Sequence, residues 1–68
     1  MRIKEGEFYK DVLTNLVLEV IEFLPGKLRV KVINKPKRSK FILGEDFIIS
    51  YEYVYYNCRY VKNNISKL

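Results

Sequence analysis

Histidine, tryptophan, alanine and glutamine are absent from these 68 residues, and cysteine occurs once. Without histidine the chain lacks the commonest general base and the commonest transition-metal ligand. The single cysteine, Cys58, cannot close an internal disulfide. With no histidine to partner it, Cys58 makes neither a Cys–His nucleophile nor a zinc site. Arg59 beside it is expected to lower the thiol pKa slightly, without making an activated nucleophile. Small secreted domains ordinarily depend on disulfides, so a reducing, cytoplasmic setting is expected. Gly6, Gly26 and Gly44 are too widely spaced for a phosphate-cradling P-loop or a GxGxxG turn. Apolar runs fall far short of the roughly 20 residues that span a bilayer. Lys4, Glu5 and Glu7 follow Met1 too closely for a secretory leader. The expectation is a protein that is not an enzyme, has no cofactor or metal, and does not engage a membrane.

Branched and aromatic residues dominate what is present: seven Ile, seven Val, six Tyr and four Phe. That bias favours strands, and a chain of this length makes one domain that buries only about 60% of its unfolded surface. Phe8-Tyr9 opens an extended stretch after Gly6, and 11–15 reads as a loop. Residues 16–24 and 27–33 read as a hairpin closed by Leu24-Pro25-Gly26-Lys27, with Pro and Gly placed as in a type II turn. In the return strand Leu28, Val30 and Val32 alternate with Lys27, Arg29 and Lys31, giving one core face and one wet face. In the outgoing strand Leu16, Leu18 and Val20 share a face before Ile21 and Phe23 take over the apolar phase. A one-residue bulge near Val20-Ile21 reconciles the two halves. It pairs Glu22 with Arg29 and Glu19 with Lys31, cross-strand pairs worth roughly 0.2–1 kcal/mol each.

Beyond the hairpin, 34–39 reads as a loop around Pro36 and 40–43 as a short strand ended by Gly44. Residues 45–49 suit a single helical turn, with Glu45-Asp46 capping amides or facing water rather than forming an acid/base pair. Residues 50–56 alternate as a final strand, with Tyr51, Tyr53 and Tyr55 on one face and Phe47 and Val54 as core candidates. From Asn57 the chain turns polar. Val61, Ile65 and Leu68 stand at helical spacing, so residues 57–68 are expected to be a tail with at most a helical turn.

Short strands, a bent second strand, a tight hairpin and a single turn before the last strand suggest an all-β, five-stranded barrel over residues 1–56. Gly6-Glu7-Phe8-Tyr9 and Phe47-x-x-x-Tyr51-x-x-Val54 carry a pattern that resembles the small SH3-like barrels common in phages and prophages. The resemblance covers about residues 3–56. It implies a binding module, since such barrels engage DNA, RNA, peptides or proteins, and it does not choose among them.

Charge supplies the functional clue. Lys27, Arg29, Lys31, Lys35, Lys37, Arg38 and Lys40 fall in one acid-free segment, while the rest of the chain holds six basic and eight acidic residues. That segment therefore sets the net charge of +5 and favours polyanions or acidic protein surfaces. A solvated strand face with lysines that block edge aggregation is the bland reading of the same residues. The functional reading puts Arg29, Lys31, Lys35, Lys37, Arg38 and Lys40 on phosphates, with Tyr51, Tyr53 and Tyr55 stacking on bases or contacting a partner.

Two functional expectations follow. The first is a non-enzymatic nucleic-acid-binding barrel. The second is a phage- or mobile-element-encoded protein that binds and modulates a host protein or nucleic-acid-handling complex, as an anti-CRISPR inhibitor does. The surplus of tyrosines and an AT-rich style of composition motivate the second. A self-associating assembly subunit is a third reading, and the oligomeric state is left open.

Overall fold

The computed structural model describes residues 2–61. Five strands and one helix follow in the order β1 (Phe8–Asp11), β2 (Val17–Leu24), β3 (Lys27–Asn34), β4 (Asp46–Ser50), α1 (Tyr51–Asn57) and β5 (Cys58–Val61). The strands form one antiparallel sheet in the order β4-β3-β2-β1-β5. Strands β4 and β5 are its two edges and do not pair with each other, so the sheet is not closed into the expected barrel.

The β2–β3 hairpin is the longest element, and its register follows the sequence reading. Leu24 opposes Lys27 across the turn, Glu22 opposes Arg29, and Glu19 opposes Lys31. A register shift between Val20 and Glu22 marks the expected bulge, and a second shift lies between Val17 and Leu18. Gly26 sits at φ 68°, the left-handed conformation the turn demands and a side chain resists. Leu16, Leu18, Val20, Leu28, Val30 and Val32 all enter one core cluster with Ile3, Tyr9, Val54 and Cys58.

The second half of the chain departs from the expectation. Residues 40–43 are not a strand but the end of a long loop joining β3 to β4. Residues 46–50, expected as a helical turn, form β4. Phe47 opposes Val30 and Ile49 opposes Leu28 on the core side, and both pack against the core cluster. The acidic Glu45-Asp46 pair suggested a helix start, but the alternation of Phe47 and Ile49 against Asp46, Ile48 and Ser50 decides for a strand.

Tyr51–Asn57, expected as the final strand, is a helix. Ser50 is its N-cap, accepting a hydrogen bond at Oγ from the Tyr53 amide at 3.3 Å. Tyr51, Val54 and Cys58 recur at the i, i+3, i+7 spacing of one helical face. The sequence stretch therefore satisfies both periods, and the cap with the buried Val54 selects the helix. Cys58–Val61, expected in the tail, form β5 and pair along all of β1. The expected boundary at residue 56 thus falls inside α1, and the rest of the tail (62–68) lies outside the described residues.

Asp11 ties the helix to the sheet. Its carboxylate is buried and accepts hydrogen bonds from the Leu13 amide (2.9 Å) and the Tyr53 hydroxyl (2.8 Å). Replacing Tyr53 by Phe leaves a buried carboxylate one donor short, and is expected to lower unfolding free energy by about 1–3 kcal/mol in urea titrations. Gly26→Ala should cost about 1–2 kcal/mol by backbone strain, because nothing lies within 4 Å of the added Cβ. An unchanged stability in that variant would show that the turn does not need its left-handed residue.

Candidate functional site

Strand β3 and the β3–β4 loop carry the expected basic residues, and the structure divides them into two groups. On β3, Lys27, Arg29 and Lys31 are exposed on the face away from the core. That face is electrostatically mixed. Arg29 is bridged to Glu22 (3.1 Å) and Asp46 (3.7 Å), while Lys31 stands between Glu19 and Asp46 in the pairing register. The bulge and β4 deliver these carboxylates to the strand. Of the three hairpin cations Arg29 is ion-paired, Lys31 has acidic neighbours without a bridge, and Lys27 lies opposite Leu24 and Ser50; half-exposed bridges of this kind contribute only about 0–1 kcal/mol of stability.

The loop is different. Lys37, Arg38 and Lys40 are exposed and Lys35 is half-buried, and none forms an ion pair among the described residues. Backbone and side-chain hydrogen bonds shape it. The Lys35 amide donates to Asn34 Oδ1 (2.8 Å), the Ser39 amide to the Pro36 carbonyl (3.0 Å), and the Phe41 amide to Ser39 Oγ (3.2 Å). Gly44, at φ 85°, returns the chain to the sheet, where its amide donates to the Val32 carbonyl at 2.8 Å. Phe41 packs on Phe47 with ring centroids 5.6 Å apart. The cations thus sit on a loop pinned at both ends to β3 and β4.

Sequence reasoning missed the apolar partner of this loop. Phe41, Ile42 and Leu43 follow directly on the cations and are all exposed. Reading 40–43 as a strand hid them, since alternation would have turned at least one inward. Glu45 behaves as expected for an amide acceptor, taking the Ile42 amide at 3.3 Å.

The tyrosine row does not exist as drawn. In a helix Tyr51 and Tyr55 share a side one turn apart and Tyr53 projects elsewhere. Tyr51 and Tyr55 stack with centroids 6.4 Å apart, and Tyr55 meets Tyr56 edge-on at 5.0 Å. Tyr56 is 76% exposed, which makes Tyr55 and Tyr56 the accessible aromatic pair. Tyr53 is committed to Asp11. Burial first, and then this hydrogen bond to a carboxylate, push the Tyr53 hydroxyl pKa up to about 12.

The slight lowering of the Cys58 pKa expected from Arg59 is reversed. The thiol is buried in the core cluster. Burial, followed by the negative charge of Asp11, raises its pKa from the ordinary 9 to about 12. Arg59 does not lower it, because cross-strand pairing places Arg59 opposite Lys10, whereas Cys58 is opposite Asp11. Tyr9 is raised as well, by burial and by donating to Glu7 Oε1 at 2.7 Å.

Among the described residues no three His, Cys, Asp or Glu side chains cluster as metal ligands, and no helix is long and apolar enough to cross a membrane. Comparison with known proteins finds no family model, no curated protein and no solved structure that matches the chain.

The raised acids give a signed pH dependence. A folded pKa above the unfolded value means that the unfolded chain releases its proton first, so stability falls as pH rises. The loss from Cys58 begins near pH 9 and that from Tyr53 near pH 10, and both are complete at about pH 12. Denaturation midpoints measured from pH 7 to 11 should decline above pH 9, and Cys58→Ala should flatten the first part of that decline. Alkylation of the native protein at pH 8 should be far slower than that of the unfolded chain.

Proposed function

We propose that this protein is a non-enzymatic nucleic-acid-binding module that holds phosphates with its β3–β4 loop. The observation that carries the reading is the contrast between compensated and uncompensated cations. Arg29 is neutralised on the sheet, whereas Lys35, Lys37, Arg38 and Lys40 project from an anchored loop without acidic partners among the described residues. A fixed cluster of like charges costs folding energy and gains a function when an anion neutralises it. Lysine offers point charges and arginine a bidentate fork to phosphate oxygens. The adjacent Phe41 provides an exposed ring for an unpaired base. Lys31 and, when released from its carboxylates, Arg29 would extend the contact along β3.

The element order supports an SH3-like reading of the fold. A β1–β2–β3–β4 meander with a helix before β5, and β5 returning to β1, is the order of such barrels, here with an unclosed sheet. That fold class hosts many binding functions.

Loop contacts of this kind are sequence-independent and salt-sensitive. Four phosphates on a duplex would give a log–log salt slope of about −4 in fluorescence anisotropy. Reversing Lys35, Lys37 and Arg38 to Glu should weaken binding about tenfold or more on every oligonucleotide tested. Retained affinity in that triple variant places the contact elsewhere.

One observation favours a second reading, in which a phage- or mobile-element protein docks on an acidic surface of a host protein. Ile42 and Leu43 on the loop and Tyr55 and Tyr56 on α1 are exposed, and aromatic and apolar side chains dominate protein hot spots. A stoichiometric protein partner retained from nuclease-treated lysate, together with no oligonucleotide binding at about 0.15 M salt, would replace the first reading by this one.

A further inference from the structure

The pairing of β1 with β5 assembles a cationic site that no single stretch of sequence contains. Lys10 directly opposes Arg59 on these neighbouring strands, and both are exposed. Across β1, Lys10 opposes Val17 of β2, and Val17 opposes Asn34 of β3. A single row Arg59–Lys10–Val17–Asn34 therefore crosses four strands, about 14 Å at the usual interstrand spacing, and Lys35 follows at its end.

Like charges directly opposite each other destabilise a sheet, and the nearest carboxylate on this face, Glu19, is only a diagonal neighbour of Lys10. Neither Lys10 nor Arg59 forms an ion pair among the described residues. Asp11, the neighbour of Lys10 in sequence, points the other way, with its carboxylate held by Leu13 and Tyr53. Glu19 opposes Phe8 and Lys31 two residues further along, on the same face, and forms no ion pair with Lys10.

Three members of the row, Lys10, Val17 and Asn34, border a concavity. The concavity, of about 370 Å³, is lined by Lys10, Asn15, Val17, Asn34, Lys35, Pro36 and Val61, with Arg59 outside the lining on the far side of Lys10. Its floor is apolar, since Val17 is buried without belonging to the core cluster. Asn34 Oδ1 accepts from the Lys35 amide, which leaves the side-chain NH2 as the donor that Asn34 can offer. The lining thus presents hydrogen-bond donors and cations over an apolar base, the chemistry of an oxyanion seat.

We propose that Lys10, Arg59, Lys35 and Asn34 form a second phosphate seat for the same nucleic-acid backbone that the β3–β4 loop holds. The inference rests on the nucleic-acid reading and deepens it. Lys35 is shared by the two contacts, so the backbone runs from the loop across the outer face of β2 and β1 to the β5 edge. The repulsive Lys10–Arg59 pair is kept because phosphate occupies it.

Anisotropy with a labelled duplex and a labelled single strand tests this in the full chain. The variants are Lys10→Gln/Arg59→Gln, Lys10→Glu alone and Lys37→Glu/Arg38→Glu. The double glutamine variant should flatten the duplex salt slope by about 2 and weaken binding about tenfold at 0.15 M salt. Lys10→Glu should weaken binding while its Tm equals or exceeds that of the native protein, because an attractive cross-strand pair replaces a repulsive one. A purely structural role for Lys10 would move Tm and leave the salt slope unchanged.

Binding that responds to Lys37→Glu/Arg38→Glu but not to the Lys10 and Arg59 variants overturns the second seat and leaves the loop reading standing. No oligonucleotide binding by the native protein overturns both. Binding of a poly-glutamate peptide in place of oligonucleotide would reassign the face to an acidic protein.

Discussion

The bulged register of the β2–β3 hairpin is the constraint on which the rest of the structure depends. A strand has a side-chain period of two, so a β2 without a bulge would send either Val20 or Phe23 to the wrong face. The shift between Val20 and Glu22 lets Leu18 and Val20 face the core before the bulge. It also sets Glu22 opposite Arg29 after it. The same slip decides where the strand face is neutral. With Glu22 and Glu19 brought alongside Arg29 and Lys31, uncompensated charge is displaced to the loop and to the β1–β5 edge. Packing and electrostatics are two consequences of one inserted residue.

A second dependence runs through Asp11. This residue ends β1, accepts from its own loop and from Tyr53 of α1, and lies opposite Cys58 at the start of β5. The last strand can add to β1 only if the helix delivers Cys58 to that position, and the helix is held by the Asp11–Tyr53 bond and by Val54 in the core. Tyr53 is thereby removed from any binding role. A surplus of tyrosines in a short stretch serves unlike purposes: one bonds to a carboxylate, one packs on the core, and two face outward.

Two electrostatic regimes coexist on the outer surface. Where Arg29 meets two carboxylates the pairs are surface bridges of small energetic value. Where Lys10 meets Arg59 the pairing opposes folding. A small sheet with a modest core tolerates such repulsion only within a narrow stability margin, and the anion readings for the loop and for the β1–β5 face give the repulsion a purpose.

Much of the first half of the chain was legible in the sequence. The Pro25-Gly26 turn, the alternation of Leu28, Val30 and Val32, and the phase change at Val20-Ile21 are local signals that agree with one another. Together they determined the hairpin, its bulge, its charge pairs and most of the core. Composition likewise determined that this chain has no histidine, no internal disulfide and no P-loop. Residues 45–61 were not legible, because their patterns suit two periods. Ser50, Tyr51, Val54 and Cys58 fit a capped helix as well as a strand, and Asp46–Ser50 fits a strand as well as a helix start. Only the tertiary structure chose, through burial of Val54 and the Asp11–Tyr53 bond. It alone decided that Arg59 would stand beside Lys10, because β1–β5 pairing joins residues from opposite ends of the chain, and no local pattern encodes a contact between segments so far apart in sequence.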